Sequence, residues 1–207
     1  MNYRFYTTFK KKYGIKFNRW RIHMEILKDP EMYLKFIPDN GDVIIDVGAQ
    51  YGDYAILWAK KFRSKVLAFE PLKANFMEMM RDCVINNVDV IPINSLLGDG
   101  EPLQYKIGGN MIINSLDGEH DKKYETTKLD DFVLFFRIKP SIIKIDVEGF
   151  ELPVLQGSAK TLQQYHPKII IETHSKQLRV KCHEFLTSQG YTLFYEGRKT
   201  TGKEWMD

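Results

Sequence analysis

The chain has 207 residues, 43% of them hydrophobic and 28% charged, with a net charge of +3. That is the composition of one globular domain with a real core, and it excludes a disordered or low-complexity chain. No apolar run approaches the ~20 residues that span a bilayer, and no apolar stretch follows the charged N-terminus as a secretory signal requires.

The two cysteines, Cys83 and Cys182, form neither a CxxC nor a Cys/His pattern. Neither a zinc site nor a disulfide framework is expected, and a reducing, cytoplasmic compartment is. The positive charge sits at the front. Residues 1–24 hold Arg4, Lys10, Lys11, Lys12, Lys16, Arg19 and Arg21 and no carboxylate, which leaves the rest mildly acidic. Tyr6, Phe9, Tyr13, Phe17 and Trp20 recur there at steps of three and four, the spacing of one helix face, with Gly14 interrupting. Residues 1–38 are therefore read as a basic, aromatic helical extension, and residues 39–207 as the main domain. Two alternatives stay open for the aromatic stripe. It packs on the domain or on a second subunit of a homodimer, or it meets a polyanion such as RNA or an anionic membrane surface.

Asp29-Pro30 opens a short helix to about Phe36, and Pro38-Asp39-Asn40-Gly41 is a turn. Apolar runs then alternate with helical segments. Strands are predicted at Val43–Ile45, Val66–Phe69 and Val90–Ile93, with helices at Tyr54–Lys61 and Ala74–Val84 between them. Residues 96–127 are irregular, with glycines that suit hairpins or a lid. Order returns with a strand at Ile142–Ile145, a helix at about Pro153–Leu162, a strand at Lys168–Ile171, a helix at Leu178–Ser188 and a strand at Tyr191–Tyr195, with Glu204–Met206 pairing back. This alternation predicts a doubly wound, mostly parallel α/β sheet whose ligand site lies beyond the strand C-termini, at the topological switch point.

The first strand runs into Asp46-Val47-Gly48-Ala49-Gln50-Tyr51-Gly52. The two glycines let backbone approach a ligand closely, and a side chain at Gly48 is expected to fill space the ligand needs. Their GxxxG spacing differs from the GxGxxG of dinucleotide sites, so a ligand without pyrophosphate is favoured. The second strand ends in Phe69-Glu70-Pro71, with Glu70 placed 22 residues after Gly48 to accept hydrogen bonds from ribose hydroxyls. S-adenosylmethionine is a nucleoside of this kind.

Ile143-Lys144-Ile145-Asp146-Val147-Glu148-Gly149-Phe150-Glu151, followed by Val154-Leu155-Gln156-Gly157, resembles the signature of the FkbM-type methyltransferases. The glycine loop, Phe69-Glu70-Pro71, Leu129-Asp130-Asp131 and Ile171-Glu172-Thr173-His174 resemble that family's other motifs, in order, so the likeness covers roughly residues 40–195. The resemblance implies a Rossmann-like sheet of seven strands and methyl transfer from S-adenosylmethionine, often to a hydroxyl oxygen. It also implies a cofactor site made by Asp46, Gly48, Ala49, Tyr51 and Gly52 around the methionine and ribose, Glu70 on the ribose, and Asn94 and Ser95 at the adenine.

A hydroxyl acceptor needs help losing its proton. Asp146, Glu148, Glu172 and His174, at the ends of two strands read as neighbours, sit where that help belongs. In one reading Glu148 and Glu151 cap the next helix, Asp146 holds the cofactor's amino end and His174 is a surface loop residue. In a second, His174 or Glu148 is the general base. In the third, ranked last, Asp146, Glu172 and His174 hold a divalent cation. Lys144 receives no role. The expected activity is O-methylation of a small-molecule or sugar hydroxyl. The alternatives are a tRNA methyltransferase using residues 1–24 and a nucleoside-binding protein without catalysis.

Overall fold

The computed structural model describes residues 12–17, 41–108, 111–113 and 122–193. Its centre is a five-stranded parallel sheet of β1 (Val43–Val47), β2 (Lys65–Phe69), β3 (Val90–Ile93), β7 (Ile142–Ile145) and β8 (Lys168–Ile171), in the order β3-β2-β1-β7-β8. Three further strands, β4 (Leu103–Gly108), β5 (Met111–Ile113) and β6 (Lys122–Tyr124), make a separate antiparallel sheet from the irregular stretch. The helices are α1 (Asp53–Phe62), α2 (Lys73–Asn86), α3 (Leu129–Phe136), α4 (Glu151–Gln156), α5 (Ala159–Tyr165) and α6 (Lys176–Ser188).

Side chains alternate across a strand, and here both faces are covered. Ile44, Val66, Ala68 and Ile142 pack with Trp58 and Ile56 of α1 and Met79 and Cys83 of α2. Ile45, Leu67, Phe69, Ile143 and Ile145 pack on the opposite face with Leu129, Val154, Leu162 and Cys182. Each such fully buried aliphatic side chain stabilises the fold by roughly 1.5–3 kcal/mol relative to exposure. This is the doubly wound arrangement, with a buried parallel sheet that explains why its strands read as unbroken apolar runs. Pro92 is tolerated because β3 is the sheet edge, where its missing N–H breaks no inner ladder. Cys83 and Cys182 are free, buried and on opposite faces. Among the described residues no helix is long and apolar enough to cross a membrane.

The expected seven strands are corrected to five in the parallel sheet among the described residues. Tyr191 does not open a strand. Its N–H closes on the Leu186 carbonyl at 3.0 Å in the turn that ends α6, where Gly190 has φ 84°. Residues 194–207, with the rest of that expected strand and Glu204–Met206, lie outside the described residues. The single helix expected at Pro153–Leu162 is two helices, α4 and α5, parted at Gly157-Ser158.

The reason lies in two motif residues. A β-carbon on Gly157 would stand 1.8 Å from the Gly98 carbonyl oxygen, so only glycine admits the loop that leaves β3. Asp130 then caps the second helix from outside it. Its carboxylate accepts from the backbone N–H of Lys160 at 3.1 Å and of Thr161 at 2.8 Å, and from the Thr161 hydroxyl at 2.6 Å. Leu129-Asp130-Asp131 and Gln156-Gly157 thus support packing rather than chemistry.

Only residues 12–17 of the leading segment are described, so Tyr6, Phe9, Trp20 and the helix from Asp29 lie outside. Ile15 and Phe17 are buried in the α1/α2 core and Tyr13 packs against it. Asn86 clasps this segment: its Nδ2 donates to the Lys16 carbonyl at 2.6 Å and its Oδ1 accepts from the Lys16 N–H at 2.8 Å. For Tyr13 and Phe17 this arrangement is packing against the domain. Asn86→Ala should lower stability by about 1–2 kcal/mol, the scale of two lost hydrogen bonds. Urea unfolding measures that loss, and hydrogen exchange should show the Lys16 amide losing its protection.

Candidate active site

The strand order makes β1 the switch point, flanked by β2 and β7. A cavity of about 310 Å³ opens at their C-terminal ends, within the usual range of small-molecule sites. Its floor is the turn from β1 into α1, which reverses direction through three left-handed residues: Gly48 (φ 80°), Gln50 (φ 51°) and Gly52 (φ 77°). The close approach at Gly48 is to protein. A β-carbon there would lie 1.9 Å from the carbonyl oxygen of Asp146, so Gly48 lets the ends of β1 and β7 meet. Gly48 also lines the cavity, so it serves this contact in addition to the space expected for a ligand.

Glu70 leaves the end of β2 and turns into the same cavity. It is buried, and its carboxylate accepts from the N–H groups of Gln50 and Leu72, both at 2.9 Å, and from Asn75 Nδ2 at 3.2 Å. Burial pushes its pKa up to about 7, against the pull of those donors. Glu70 therefore holds the glycine loop in shape from across the cavity.

Parallel register sets Asp46 of β1 opposite Lys144 of β7. Lys144 is buried, with Nζ 3.3 Å from Asp46 Oδ1, 3.5 Å from Asp146 Oδ2 and 3.4 Å from the Gly48 carbonyl oxygen. Burial alone would lower the Lys144 pKa, but Asp46 and Asp146 outweigh it and hold the ammonium charged. Burial raises Asp46 in turn, and Lys144 only partly offsets this.

The opposite wall carries the resemblance motif. After β7 the chain bends through Glu148 (φ 53°) and Gly149 (φ 111°), a strained turn of the kind found at functional sites. Asp146 and Glu148 line the cavity there. Beside them, beyond β8, His174 Nε2 lies 3.2 Å from Glu148 Oε2, 3.6 Å from Asp146 Oδ1 and 3.9 Å from Glu172 Oε1. Its Nδ1 lies 2.8 Å from Glu151 Oε1, and Glu151 is fully buried, accepting also from the Gly149 N–H at 3.1 Å. Burial pulls the His174 pKa down, but the Glu151 hydrogen bond and Glu148 push it up to about 9. His174 is thus no simple surface residue.

Of the cofactor residues expected from sequence, Gly48, Ala49, Tyr51, Glu70, Ser95 and Asp146 line the cavity. Asp46 and Gly52 stand behind it, the first on Lys144 and the second against Met79. Asn94 is also behind it, since its amide donates to the Glu70 and Pro71 carbonyls at 2.8 and 2.9 Å, fastening β3 to β2. Sequence reasoning gave no role to Lys144 or to Gln50 individually, and took Glu151 only as a helix cap. A lysine inside the apolar run Ile142–Ile145 was the one available signal, since a buried strand carries a charge only when it is paired.

Lys144→Met should destabilise the protein by roughly 3–5 kcal/mol, because it strands two carboxylates, one of them fully buried. Adding Asp46→Asn should recover part of that loss in the same urea titration.

The profile of the Methyltransferase FkbM domain matches residues 46–193. Hexuronic acid methyltransferase AglP of Haloferax volcanii is 31% identical over 144 residues, which make up 66% of this chain and 58% of that protein. Methyltransferase 1 of Beauveria bassiana is 26% identical over 204 residues, covering 84% of this chain and 82% of its own. The crystal structure of methyltransferase FkbM from Methylobacillus flagellatus KT shares the fold, with a TM-score of 0.57 at 17% identity over 73% of this chain and 38% of that one. On the match that spans Asp46 to Leu193, the chain belongs to the FkbM family of methyltransferases.

Proposed function

We propose that the protein transfers a methyl group from S-adenosylmethionine to an oxygen of a sugar acceptor. The observation that carries this is one cavity with the glycine turn and Glu70 on one side and Asp146 and Glu148 on the other. The first pair suits a nucleoside without phosphates, and the second pair suits a hydroxyl. In this reading the Gly48–Tyr51 backbone follows the methionine and ribose, Glu70 accepts from the ribose hydroxyls and Ser95 lies at the adenine. A sulfonium is already an activated methyl donor, so alignment of the two reactants supplies most of the catalysis. The choice of a sugar is supported by the hexuronic acid methyltransferase among the relatives.

Phe150 favours an acceptor covered by the small sheet. It packs with Leu72, Leu96 and Val147 at the cavity and with Leu103 and Tyr124 of β4 and β6. That sheet therefore borders the Asp146–Glu148 side of the cavity, as a specificity-setting cover should.

The donor half is tested by binding. A ribose diol donates hydrogen bonds, so it needs the ionised Glu70, whose pKa is pushed up to about 7. Proton binding then competes with the ligand, and affinity should fall roughly tenfold per pH unit below about 7 and level off above it. 5′-Methylthioadenosine is the ligand of choice, because it lacks the titrating amino-acid end. Glu70→Gln should weaken its binding by about 1.5–3 kcal/mol and flatten the profile. A wild-type affinity flat from pH 5.5 to 8 would remove Glu70 from the ribose.

The acceptor half is tested by incubating the protein and methyl-labelled S-adenosylmethionine with separate pools of uronic acids, neutral sugars and tRNA. Label is expected in a sugar pool. Label confined to tRNA would overturn the sugar reading.

A further inference from the structure

We propose that Asp146, Glu148 and His174 form a binding site for a divalent first-row cation of the Mn²⁺ type, beside the acceptor end of the cavity. One carboxylate oxygen from each acid and one ring nitrogen of His174 lie within 4.8 Å of one another. The His174 Nε2 distances are 3.2 Å to Glu148 and 3.6 Å to Asp146. Ligands about 2.1 Å from a shared ion on adjacent octahedral positions stand about 3.0 Å apart, and the two His174 distances already approach that spacing. Two hard oxygens and one imidazole suit Mn²⁺ and related ions, and three protein ligands leave positions for water and a substrate oxygen.

A second, independent feature singles out His174. Its far nitrogen, Nδ1, is engaged by Glu151, which is 0% exposed and held in turn by the backbone of the Glu148–Gly149 bend. A carboxylate behind a histidine is what orients a metal-binding imidazole and sharpens its basicity. It leaves Nε2 as the nitrogen that faces Asp146 and Glu148.

Charge balance points the same way. Asp146, Glu148, Glu151 and Glu172 converge on one imidazole, and the nearby Lys144 is shared with Asp46. Glu172, at 3.9 Å from Nε2, stays outside the compact set and adds negative potential only. A cation here supplies Lewis acidity next to the acceptor hydroxyl. That use rests on the methyl-transfer reading above, whereas the binding itself does not.

The test uses the full chain, stripped with chelator, and Mn²⁺ alone. Paramagnetic resonance of free Mn²⁺ and calorimetry should give one bound ion per chain. Glu148→Gln and His174→Ala should each weaken binding at least tenfold, and Glu151→Gln by roughly ten- to a hundredfold through the imidazole it orients. Glu172→Gln should change it less than threefold. Glu148 is partly exposed, so its isosteric variant keeps the fold, and circular dichroism checks this for all four. No binding at about 1 mM Mn²⁺, or binding that Glu148→Gln and His174→Ala leave unchanged, would overturn the site. S-adenosylhomocysteine binding to the same stripped protein is read in parallel. Its loss with cation binding intact counts against the methyl-transfer reading, and its retention without cation binding counts against this proposal alone.

Discussion

Lys144 is the cation on which the functional end of the sheet depends. It reaches from β7 to the Asp46 carboxylate of β1, to the Gly48 carbonyl just past that strand and to the Asp146 carboxylate just past its own. The two strands diverge here, since α1 leaves on one face and the Asp146–Glu151 bend on the other. An unpaired carboxylate at this depth would be costly, and one ammonium answers two of them. Gly48 permits the contact, because any side chain would drive the Asp146 carbonyl away. The two walls of the cavity are therefore coupled through one buried ion cluster rather than being independent loops.

Each wall has its own internal tie. On the β1 side, Glu70 gathers the N–H groups of Gln50 and Leu72 and so shapes the turn that faces it. On the β7 side, Glu151 gathers the Gly149 N–H and His174. Both are buried carboxylates that accept from backbone N–H groups of these turns. That is how a rigid sheet holds left-handed residues such as Gln50 and Glu148 in place. Phe150 extends the second wall into the antiparallel sheet, so the rim of the cavity is built from the segment between β3 and α3.

The parallel core was legible in the sequence because a strand buried on both faces leaves a short apolar run. Val90–Ile93, Ile142–Ile145 and Lys168–Ile171 begin and end where their composition says they do. Helix α3 was not legible. Its sequence Leu-Asp-Asp-Phe-Val-Leu-Phe-Phe buries Leu129 and Val133 yet exposes Leu134 and Phe135, so it shows no polar face to mark the period. The break between α4 and α5 depends on Gly157 meeting Gly98, a contact between segments far apart in the chain. Among polar residues, Glu70, Asp146, Glu148 and His174 could be picked out because they stand just past strand ends, and the first three line the cavity. Lys144 showed only as a charge inside an apolar run and Glu151 only as a candidate cap, since the partners of both lie far along the chain, set by register for one and by a residue over twenty positions away for the other. Asn94, expected at the adenine, also has a structural task that its position did not announce: its amide Nδ2 donates to two backbone carbonyls.

The central claim is that this cavity holds the methyl donor with its ribose on Glu70 and its sulfur facing the Asp146–Glu148 wall. A crystal structure of the full chain with S-adenosylhomocysteine tests it most directly. The account predicts both ribose hydroxyls within hydrogen-bonding distance of the Glu70 carboxylate, the adenine beside Ser95 and the sulfur opening toward Glu148 and His174. A nucleoside bound elsewhere, or bound here with its ribose turned away from Glu70, would contradict it.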